Sequence, residues 1–556
     1  MQEQSHELKR VCEALFSQYD QTARADVERM QQLLSPRAVS KGSLSDTTAV
    51  YRHSPEAKKD CSVLVSAHST YITPSGQKWF NIRSRDRAKN PWSATDAVSK
   101  WFSKATEITN DELSESNFYT CIQEVYNDRC QLGTGCAFIG GSETEPLHFI
   151  HVPMGTFAIA EDNKHVVNTL VRRFNYTAQQ AADEWGFLNL PEKVKDDYME
   201  PSRRYTEKRT YVHLVRPRRK AYKGMRDIPS NLREYEGFYM DEESYTVIKE
   251  EGYFEFPFLV TRFIRGNDSP YGEPPGLTVE PTIRQLMKLE RLMDAMGEKA
   301  AFPPILQLAK QNMQVDMRAG AINTIDPESA RLGYPRELAS QSRYDAGLER
   351  INAKKEEIKA AYFVDMLNAI SVIERQMTAT EINAREAEKV LAFSPSFTLF
   401  IVDFQPAMRR IMAILMRQEK LPEEGKPAEL FVKSPEGRLM MLNPQVSYMG
   451  KIAQAVERVQ QRGTNQVVEA AIAFDQGTGT QTMTKLLKPR VIMRGWIEAN
   501  GAPSDIMIDD AEYEQMQAAE QMAAQQQMDA MQQQQSMDTM ATAAGAIQQL
   551  QAARRK

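Results

Sequence analysis

The second half of the chain carries a helical pattern that begins after Pro281 and continues almost to the end. Apolar residues recur at helical spacing in two segments, namely Ile283, Leu286, Leu289, Met293 and Met296 in the first and Leu348, Ile351, Ile358 and Tyr362 in the second. These stripes predict helices over 281–300 and 343–370. Residues 301–342, between them, contain Gly and Pro at intervals and indicate a compact insert. The sequence therefore predicts two helices that flank one small insert.

A further helix is predicted to begin at Thr378, because Thr378 to Glu381 has the S/T-x-x-E form of a capping box. This leaves residues 371–377 as a short connecting loop. The helix extends to Lys420, and the prolines inside it, Pro395 and Pro406, predict a bent helix or two helices. Beyond it, helices are predicted at Pro444–Arg462, Thr464–Phe474 and Met483–Asn500.

The last segment, residues 511–556, contains 13 Gln, 6 Met and no Pro. This composition favours helix over strand without specifying a core. Two interpretations stay open: a helix that bundles only when several copies come together, or a frayed polar tail.

The first 280 residues predict a mixture of helices and strands. Helices are predicted over 5–35, in two pieces from Ser93 to Leu132, and over 177–185, and residues 62–82 have strand-like spacing. Short β-prone runs separated by turn residues occur at 148–152, 166–174, 211–215, 245–249 and 258–263. The predicted fold class is therefore mixed α+β, mainly helical.

Composition excludes several classes of protein. Apolar residues make up 42% and charged residues 26% of the 556-residue chain, as in globular rather than disordered proteins. The 69 basic and 74 acidic residues lack the basic excess of a protein that coats DNA. The five cysteines never occur as CxxC, which argues against a disulfide framework and a zinc site. No apolar run approaches the roughly 18 residues needed to span a bilayer, so we expect no membrane segment.

The motifs of common enzyme classes are missing from the sequence. A P-loop, G-x-x-x-x-G-K-[ST], does not occur, and neither does G-x-S-x-G or H-E-x-x-H. Gly133 and Gly135 lie between a predicted helix and a predicted strand, which is the reverse of a dinucleotide-binding loop. We interpret them as a close-packed turn, and we expect no enzymatic activity, no cofactor and no metal.

A cluster of ten basic residues is the one charged segment that suggests a binding surface. It consists of Arg203, Arg204, Lys208, Arg209, Arg216, Arg218, Arg219, Lys220, Lys223 and Arg226, against Glu207 and Asp227 at its edge. Such a patch attracts phosphates. It is equally typical of a solvated hairpin that faces an acidic partner protein, which is the interpretation we favour.

Four stretches of the chain carry a resemblance to a known family. They are QLGTGCAFIG (131–140), HVVNTLVRRFNYTAQQAADEWG (165–186), FPFLVTRFIRGNDSPYGEPPG (256–276) with the helix and AFPPILQ that follow, and MTATEINAREAEKVL (377–391) with FQPAMRRIMAILMRQEKLP (404–422). This ordered set, over roughly residues 90–425, resembles the head-to-tail connector or portal proteins of short-tailed, double-stranded DNA bacteriophages. The Gln/Met-rich end is similar in kind.

The resemblance implies a ring of identical subunits, usually twelve, at one vertex of the capsid. Double-stranded DNA is packaged and later ejected through its channel. The implied segments are a wing (1–280 and 378–443), a stem (281–300 and 343–370), a clip (301–342), a channel loop (371–377), a crown (444–507) and a C-terminal barrel or mobile tail (508–556).

The resemblance also implies partners and contact residues. The clip docks the terminase motor and then the tail adaptor, and its basic residues Lys310, Arg318, Arg331 and Arg336 are the candidate contacts. The scaffolding protein and the major capsid protein are further partners, and the ring is assembled in the host cytoplasm before it becomes part of the virion.

In the channel loop, Glu374, Arg375 and Gln376 are candidate DNA contacts, and the alternative is that they cap helices or pair within the ring. A channel through which DNA slides should bind phosphates weakly, because each neutralised phosphate adds affinity. The net charge of −5 is compatible with such contacts.

Two other functions compete with this one. A packaging ATPase is disfavoured because the sequence lacks a P-loop. A helical adaptor or scaffold protein of the virion, without a channel, remains the main alternative, and electron micrographs of the purified protein separate the two.

Overall fold

A computed structural model describes most of the chain. It covers residues 2–34, 54–84, 96–142, 144–219, 229–266, 269–301, 344–373, 382–421 and 467–477, shorter stretches at 305–306, 331, 336–337, 431–433, 439–441 and 444–448, and scattered positions between 515 and 547. The chain divides into two compact units. One consists of Met1–Arg85 and Lys104–Val459, and the other of Asp86–Ser103 and Gln460–Lys556.

Thirteen α-helices are described between residues 2 and 417. They are α1 (Gln2–Thr22), α2 (Arg24–Leu34), α3 (Pro55–Tyr71), α4 (Asp96–Glu115), α5 (Phe118–Leu132), α6 (Ala178–Trp185), α7 (Glu192–Met199), α8 (Pro201–Arg204), α9 (Pro275–Thr278), α10 (Glu280–Ala301), α11 (Tyr344–Ala361), α12 (Val364–Ile373) and α13 (Ile382–Arg417).

The strands lie mainly between residues 134 and 273. They are β1 (Phe80–Ser84), β2 (Thr134–Gly140), β3 (His148–Val152), β4 (Phe157–Glu161), β5 (Val167–Thr177), β6 (Lys208–Pro217), β7 (Tyr235–Asp241), β8 (Val247–Tyr253), β9 (Phe258–Arg262), β10 (Ile264–Arg265), β11 (Gly272–Glu273), β12 (Ile305–Leu306), β13 (Arg336–Glu337), β14 (Phe431–Lys433), β15 (Leu439–Met441) and β16 (Pro444–Tyr448). The mixed, mainly helical fold class predicted from the sequence is confirmed.

Two antiparallel sheets form the centre of the first unit. The larger has the order β4-β5-β6-β7-β8 and the smaller has the order β3-β2-β9. Arg172, on β5, joins them, because its guanidinium lies 4.9 Å from the Phe138 ring of β2 and 5.7 Å from the Phe258 ring of β9. The sheets therefore pack against each other through aromatic rings around one buried arginine.

Helix α6 covers the larger sheet. Thr177 caps it with a full capping box, in which its side chain accepts a bond from the Gln180 amide and Gln180 reaches back to the Thr177 amide. Trp185 at its other end packs on Tyr211 and Tyr239 of the sheet. Helix α6 matches the helix predicted over 177–185, and strands are present at all five β-prone runs between 148 and 263.

The segment from Ser62 to Ile82 was predicted as strand, and this prediction was wrong for residues 62–71, which are helical. Helix α3 begins after Ser54, whose side chain accepts a hydrogen bond from the Ala57 amide, and Pro55 occupies its first turn. Its buried residues Cys61, Leu64, Val65 and His68 recur at helical spacing. Only β1, at the end of the predicted segment, is a strand.

The turn at Gly133 has the close packing expected from the sequence. Gly133 ends α5 in the left-handed region, with φ of 91°. A Cβ added there would lie 2.0 Å from the carbonyl oxygen of Gly272, and one added at Gly272 would lie 2.3 Å from that of Gly133. Two backbones therefore touch where α5 leads into β2, and any side chain larger than hydrogen is excluded from both positions.

Strand β1 pairs with β16 in antiparallel register, from Phe80 opposite Tyr448 to Ser84 opposite Pro444. The helix predicted at Pro444–Arg462 is therefore wrong in its first five residues, because they form a strand that pairs with the distant strand β1.

In the second unit, residues 467–477 are helical, which overlaps the helix predicted at Thr464–Phe474. The helix predicted at Met483–Asn500 lies outside the described residues. The described positions between 515 and 547 are helical and exposed.

Candidate functional site

The centre of the candidate site is an antiparallel hairpin of α10 and α11. Helix α10 buries Ile283, Leu286 and Met293, and α11 buries Ile351 and Ile358. Lys355 Nζ lies 3.4 Å from Glu290 Oε1, and the Thr282 hydroxyl donates to Glu357 Oε1 at 2.9 Å. Apolar and polar contacts thus hold the two helices side by side over the segments that the family resemblance implies to be the stem.

The insert between these helices is described only in part. Its two ends pair as a short ladder, with Ile305 opposite Glu337 and Leu306 opposite Arg336. Of the basic residues predicted to dock a partner, Arg336 therefore lies on β13, and Arg331 is helical and exposed. Lys310 and Arg318 lie outside the described residues.

The second predicted helix, over 343–370, is interrupted. Helix α11 ends at Ala361, Phe363 has a left-handed φ of 59°, and α12 begins at Val364. A positive φ at an aromatic residue is strained and persists only where packing enforces it. Tyr362, the preceding residue, is fully buried against Gly276, and this contact fixes the break.

Helix α12 extends to Ile373, so the predicted loop over 371–377 begins too early. The first three residues of the predicted loop, 371–373, are helical. The candidate DNA contacts Glu374, Arg375 and Gln376 lie outside the described residues, as does Thr378 with its predicted capping box. The long helix is described from Ile382 to Arg417 as one helix of 36 residues that includes Pro395 and Pro406.

Asp60, on α3, is buried beside the junction of α11 and α12. Only 2% of the residue is exposed, and its Oδ2 has no hydrogen-bond partner among the described residues. Burial, together with the negative charge of Glu56, raises its pKa to about 6, although Lys359 and Lys59 oppose the shift and Asp365 adds to it. A carboxylate at this position therefore lies in an unfavourable environment at neutral pH.

We expect Asp60→Asn to stabilise the chain at pH 7.5 by about 3 kcal/mol, since the pKa of Asp60 is raised from 3.8 to about 6 and each pKa unit corresponds to about 1.4 kcal/mol. The folded-state pKa is raised, so the favourable contribution of protonated Asp60 is present below about pH 4 and is lost as the pH rises through about 6. Urea unfolding at pH 4 and pH 7.5 measures the difference. Asp183→Asn, at an exposed position, is the control. A variant no more stable than the original chain at pH 7.5 would contradict this assignment.

Buried ion pairs hold α13 on the two sheets. Arg262, with a side chain 4% exposed, bonds Asp403 of α13 at 2.9 Å through Nη2 and also contacts Glu161 of β4. Further along α13, Arg410 Nε donates to the Ile139 carbonyl at 2.9 Å. The helix that follows the stem is therefore fixed to the sheets by buried charges.

Four arginines of the basic cluster pair with acidic residues of this chain. Arg209 Nε lies 2.6 Å from Asp197, and Arg216 and Arg218 both pair with Glu236, at 2.6 and 3.2 Å. The remaining members are placed as follows: Arg203 pairs with Glu200, Arg204 covers the Tyr198 ring, Lys208 is exposed, Arg219 ends the described stretch, and Lys220, Lys223 and Arg226 lie outside the described residues. The sequence analysis favoured an acidic partner protein for this cluster. For Arg203, Arg209, Arg216 and Arg218, acidic residues of this chain itself already provide the partner.

A model of the family of bacteriophage head-to-tail connecting proteins matches residues 6–508. The chain belongs to this family. The connector is 24% identical over 410 residues to the portal protein of Salmonella phage epsilon15, a match that covers 70% of the connector and 72% of that relative. It is also 24% identical over 335 residues to the probable portal protein of Bordetella phage BPP-1, which covers 60% of each chain.

Among solved structures, the connector matches a chain in the neck of an empty GTA particle, computed with C6 symmetry. The match covers 79% of the connector and 88% of that chain, with 11% identity and a TM-score of 0.35. Family membership confirms the resemblance stated from the sequence: the connector joins head and tail in a bacteriophage particle.

The described residues of the connector contain none of the groupings of His, Cys, Asp and Glu that hold a metal ion. All five cysteines are free and buried, and burial raises the pKa of Cys12, Cys121 and Cys130 to about 12, so these thiols stay protonated at neutral pH. No described helix of the connector is both long and apolar enough to cross a membrane.

Proposed function

We propose that this connector is a portal protein, whose copies close into a ring at one capsid vertex and pass double-stranded DNA through the central hole. The observation that carries the proposal is the family match over residues 6–508. The similarity to the portal protein of phage epsilon15, over 72% of the length of that relative, supports it. We propose that the ring contains twelve copies.

In this proposal the α10–α11 hairpin is the stem. At 1.5 Å per residue the 22 residues of α10 span about 33 Å. The β12–β13 ladder brings the two ends of the insert together, which supports a clip projecting from the end of the hairpin. Residues 1–280 and 378–443 form the wing, 444–507 the crown, and 508–556 a barrel or tail.

The proposed partners follow from this arrangement. The clip, with Lys310, Arg318, Arg331 and Arg336, docks the terminase motor during packaging and the tail adaptor afterwards. The wing contacts the scaffolding protein and the major capsid protein during assembly in the host cytoplasm. Glu374, Arg375 and Gln376 follow the end of α12 and make weak contacts with the DNA, without any catalytic step by this chain.

Electron microscopy of the purified full chain tests the proposal. We expect annular particles, twelve-fold in projection, with a central hole wide enough for a DNA duplex. A three-dimensional reconstruction is expected to place Glu374, Arg375 and Gln376 at the hole and the insert at one end of the ring. Monomers or filaments alone, at every protein concentration, would contradict the ring and favour the helical adaptor without a channel.

A further inference from the structure

Two buried polar atoms at the junction of α11 and α12 have no hydrogen-bond partner among the described residues. One is Asp60 Oδ2 on α3, and the other is the hydroxyl of Tyr362, which lies between α11 and α12. Asp60 is almost fully buried, and Tyr362 has no exposed surface. A buried polar atom without a partner costs free energy, and an ionised carboxylate costs the most. The junction therefore buries polar groups at a cost.

The backbone of the junction is strained as well. Phe363 has a φ of 59°, a conformation that an aromatic residue rarely adopts. The neighbouring Tyr362 is closely packed, because a Cβ added at Gly276 would lie 2.5 Å from its hydroxyl oxygen and would also meet Met30 Cε. Movement of α12 away from this packing would release the strain at Phe363.

Apolar side chains hold α12 in place against this strain. Val364, Met366 and Leu367 are buried, and both α11 and α12 pack on α3. Helix α3 is thus the surface on which the junction closes, and Asp60 belongs to that surface. The closed arrangement balances the burial of apolar side chains against a buried carboxyl group and a strained backbone.

Charged groups act on Asp60 from all three helices of the junction. They are Glu56 and Lys59 of α3, Lys359 of α11 and Asp365 of α12. The two acidic groups raise the pKa of Asp60 and the two lysines lower it, while burial, the largest cause, brings it to about 6. Asp60 therefore changes its charge close to neutral pH.

The other helices that pack on α3 present different groups. Helix α2 brings the apolar Met30 to Tyr362, and α5 brings Arg129 and Cys130 to His68, about two turns along α3 from Asp60. Burial and the charge of Arg129 lower the pKa of His68 to about 3, and burial raises that of Cys130 to about 12. His68 and Cys130 therefore keep their charge states over the range in which Asp60 changes its own.

We propose that the α11–α12 junction is a charge-operated hinge: ionised Asp60 favours an open arrangement in which α12 lifts from α3, and protonated Asp60 favours the closed one. In the open arrangement water reaches the carboxylate and the backbone at Phe363 relaxes. In the protonated, closed arrangement no charge is buried, so the apolar contacts of α12 prevail. The hinge leads towards residues 374–376, but it does not depend on the portal function proposed for them.

Hydrogen exchange of the full chain, followed by mass spectrometry, measures the opening of α12. The pKa of Asp60 is about 6 in the closed arrangement and returns to its ordinary 3.8 when α12 lifts. Because the closed-state pKa is the higher one, the closed arrangement is most stable below about pH 4 and loses stability as the pH rises through about 6. We expect α12 to lose protection about tenfold between pH 5 and pH 7.5, after correction for the intrinsic exchange rate.

Two substitutions separate the hinge from other effects of pH. Asp60→Asn removes the ionisation at nearly constant shape, so its α12 is expected to have equal protection at pH 5 and pH 7.5. At pH 7.5 this protection is expected to exceed that of the unaltered chain by about 150-fold. Asp183→Asn, at an exposed position of α6, is the matched control and is expected to retain the tenfold change.

The strands β5 and β6 of the large sheet serve as an internal reference and are expected to keep their protection. If α12 of the unaltered chain is equally protected at both pH values, or if Asp60→Asn retains the pH dependence, Asp60 does not operate a hinge. An equal loss in α12 and in the reference strands would also contradict the proposal, because the whole unit would then unfold. Ring assembly is tested separately by electron microscopy, so the two proposals can fail independently.

Discussion

Replacing Arg262 with alanine is expected to lower the free energy of unfolding by about 3–5 kcal/mol, because removing one partner of a buried ion pair leaves uncompensated charge behind. The Arg262 guanidinium bonds Asp403 of α13 and contacts Glu161 of β4, and its backbone amide also donates to Asp403 at 3.0 Å. The Asp403 side chain is only 6% exposed, so water cannot replace the lost partner. Urea unfolding followed by tryptophan fluorescence measures the loss.

The control for this variant is Arg24→Ala. Arg24 of α2 pairs with Asp20 of α1 and Glu28 of α2, and all three side chains are exposed, so we expect a loss below about 1 kcal/mol. A further variant, Arg262→Met/Asp403→Leu/Glu161→Leu, removes the charges together and is expected to recover most of the stability lost in Arg262→Ala. If Arg262→Ala and Arg24→Ala cost the same, the buried cluster does not anchor α13.

We expect Trp79→Ala to destabilise the chain by about 3–5 kcal/mol, as for other fully buried aromatic residues. Trp79 has no exposed surface, stacks on Phe118 of α5 at 6.1 Å between ring centroids, and meets Phe404 of α13 at 5.8 Å. It also stacks on Tyr448 of β16. Its loss leaves a cavity where three distant parts of the chain meet. The urea midpoint and the near-ultraviolet circular dichroism report the change.

Tyr205→Ala provides the comparison for Trp79→Ala, because Tyr205 is 65% exposed. We expect a change within about 0.5 kcal/mol, which is usual for surface positions. Equal effects of the two substitutions would show that the cluster around Trp79 is not a core.

The sequence predicts an element well where the pattern that defines it is local. The capping box at Thr177 and Gln180, the left-handed Gly133 and the β-prone runs in β5 and β6 each lie within a few residues of the element that they specify. The apolar stripe of α10 likewise marks one face of one helix. Such signals need no knowledge of the rest of the fold.

Helix α3 shows how a local pattern misleads. The β-branched and aromatic residues between Ser62 and Ile82 favour strand by composition, but burial of one helix face outweighs that preference. The N-cap Ser54 followed by Pro55 was the signal for a helix start.

Other features have no local signal at all. The break at Phe363 contains neither Gly nor Pro, and it arises because Tyr362 is buried against another part of the chain. The Arg262–Asp403 pair joins residues 141 positions apart. In the candidate site, the apolar stripes of α10 and α11 are readable as spacing, but the contacts of Lys355 with Glu290 and of Thr282 with Glu357 appear only when the pairing of the two helices is known.

The pairing of β1 with β16 sets a limit on when the connector can fold. About 360 residues separate the two strands, and at 5–20 residues per second a ribosome needs roughly 20–70 seconds to synthesise them. During that time β1 presents open hydrogen-bonding groups and the ring of Trp79 without its strand partner, a state prone to aggregation. Completion of this sheet is thus a post-translational event, and a nascent chain that is truncated before residue 444 is expected to require a chaperone to stay soluble.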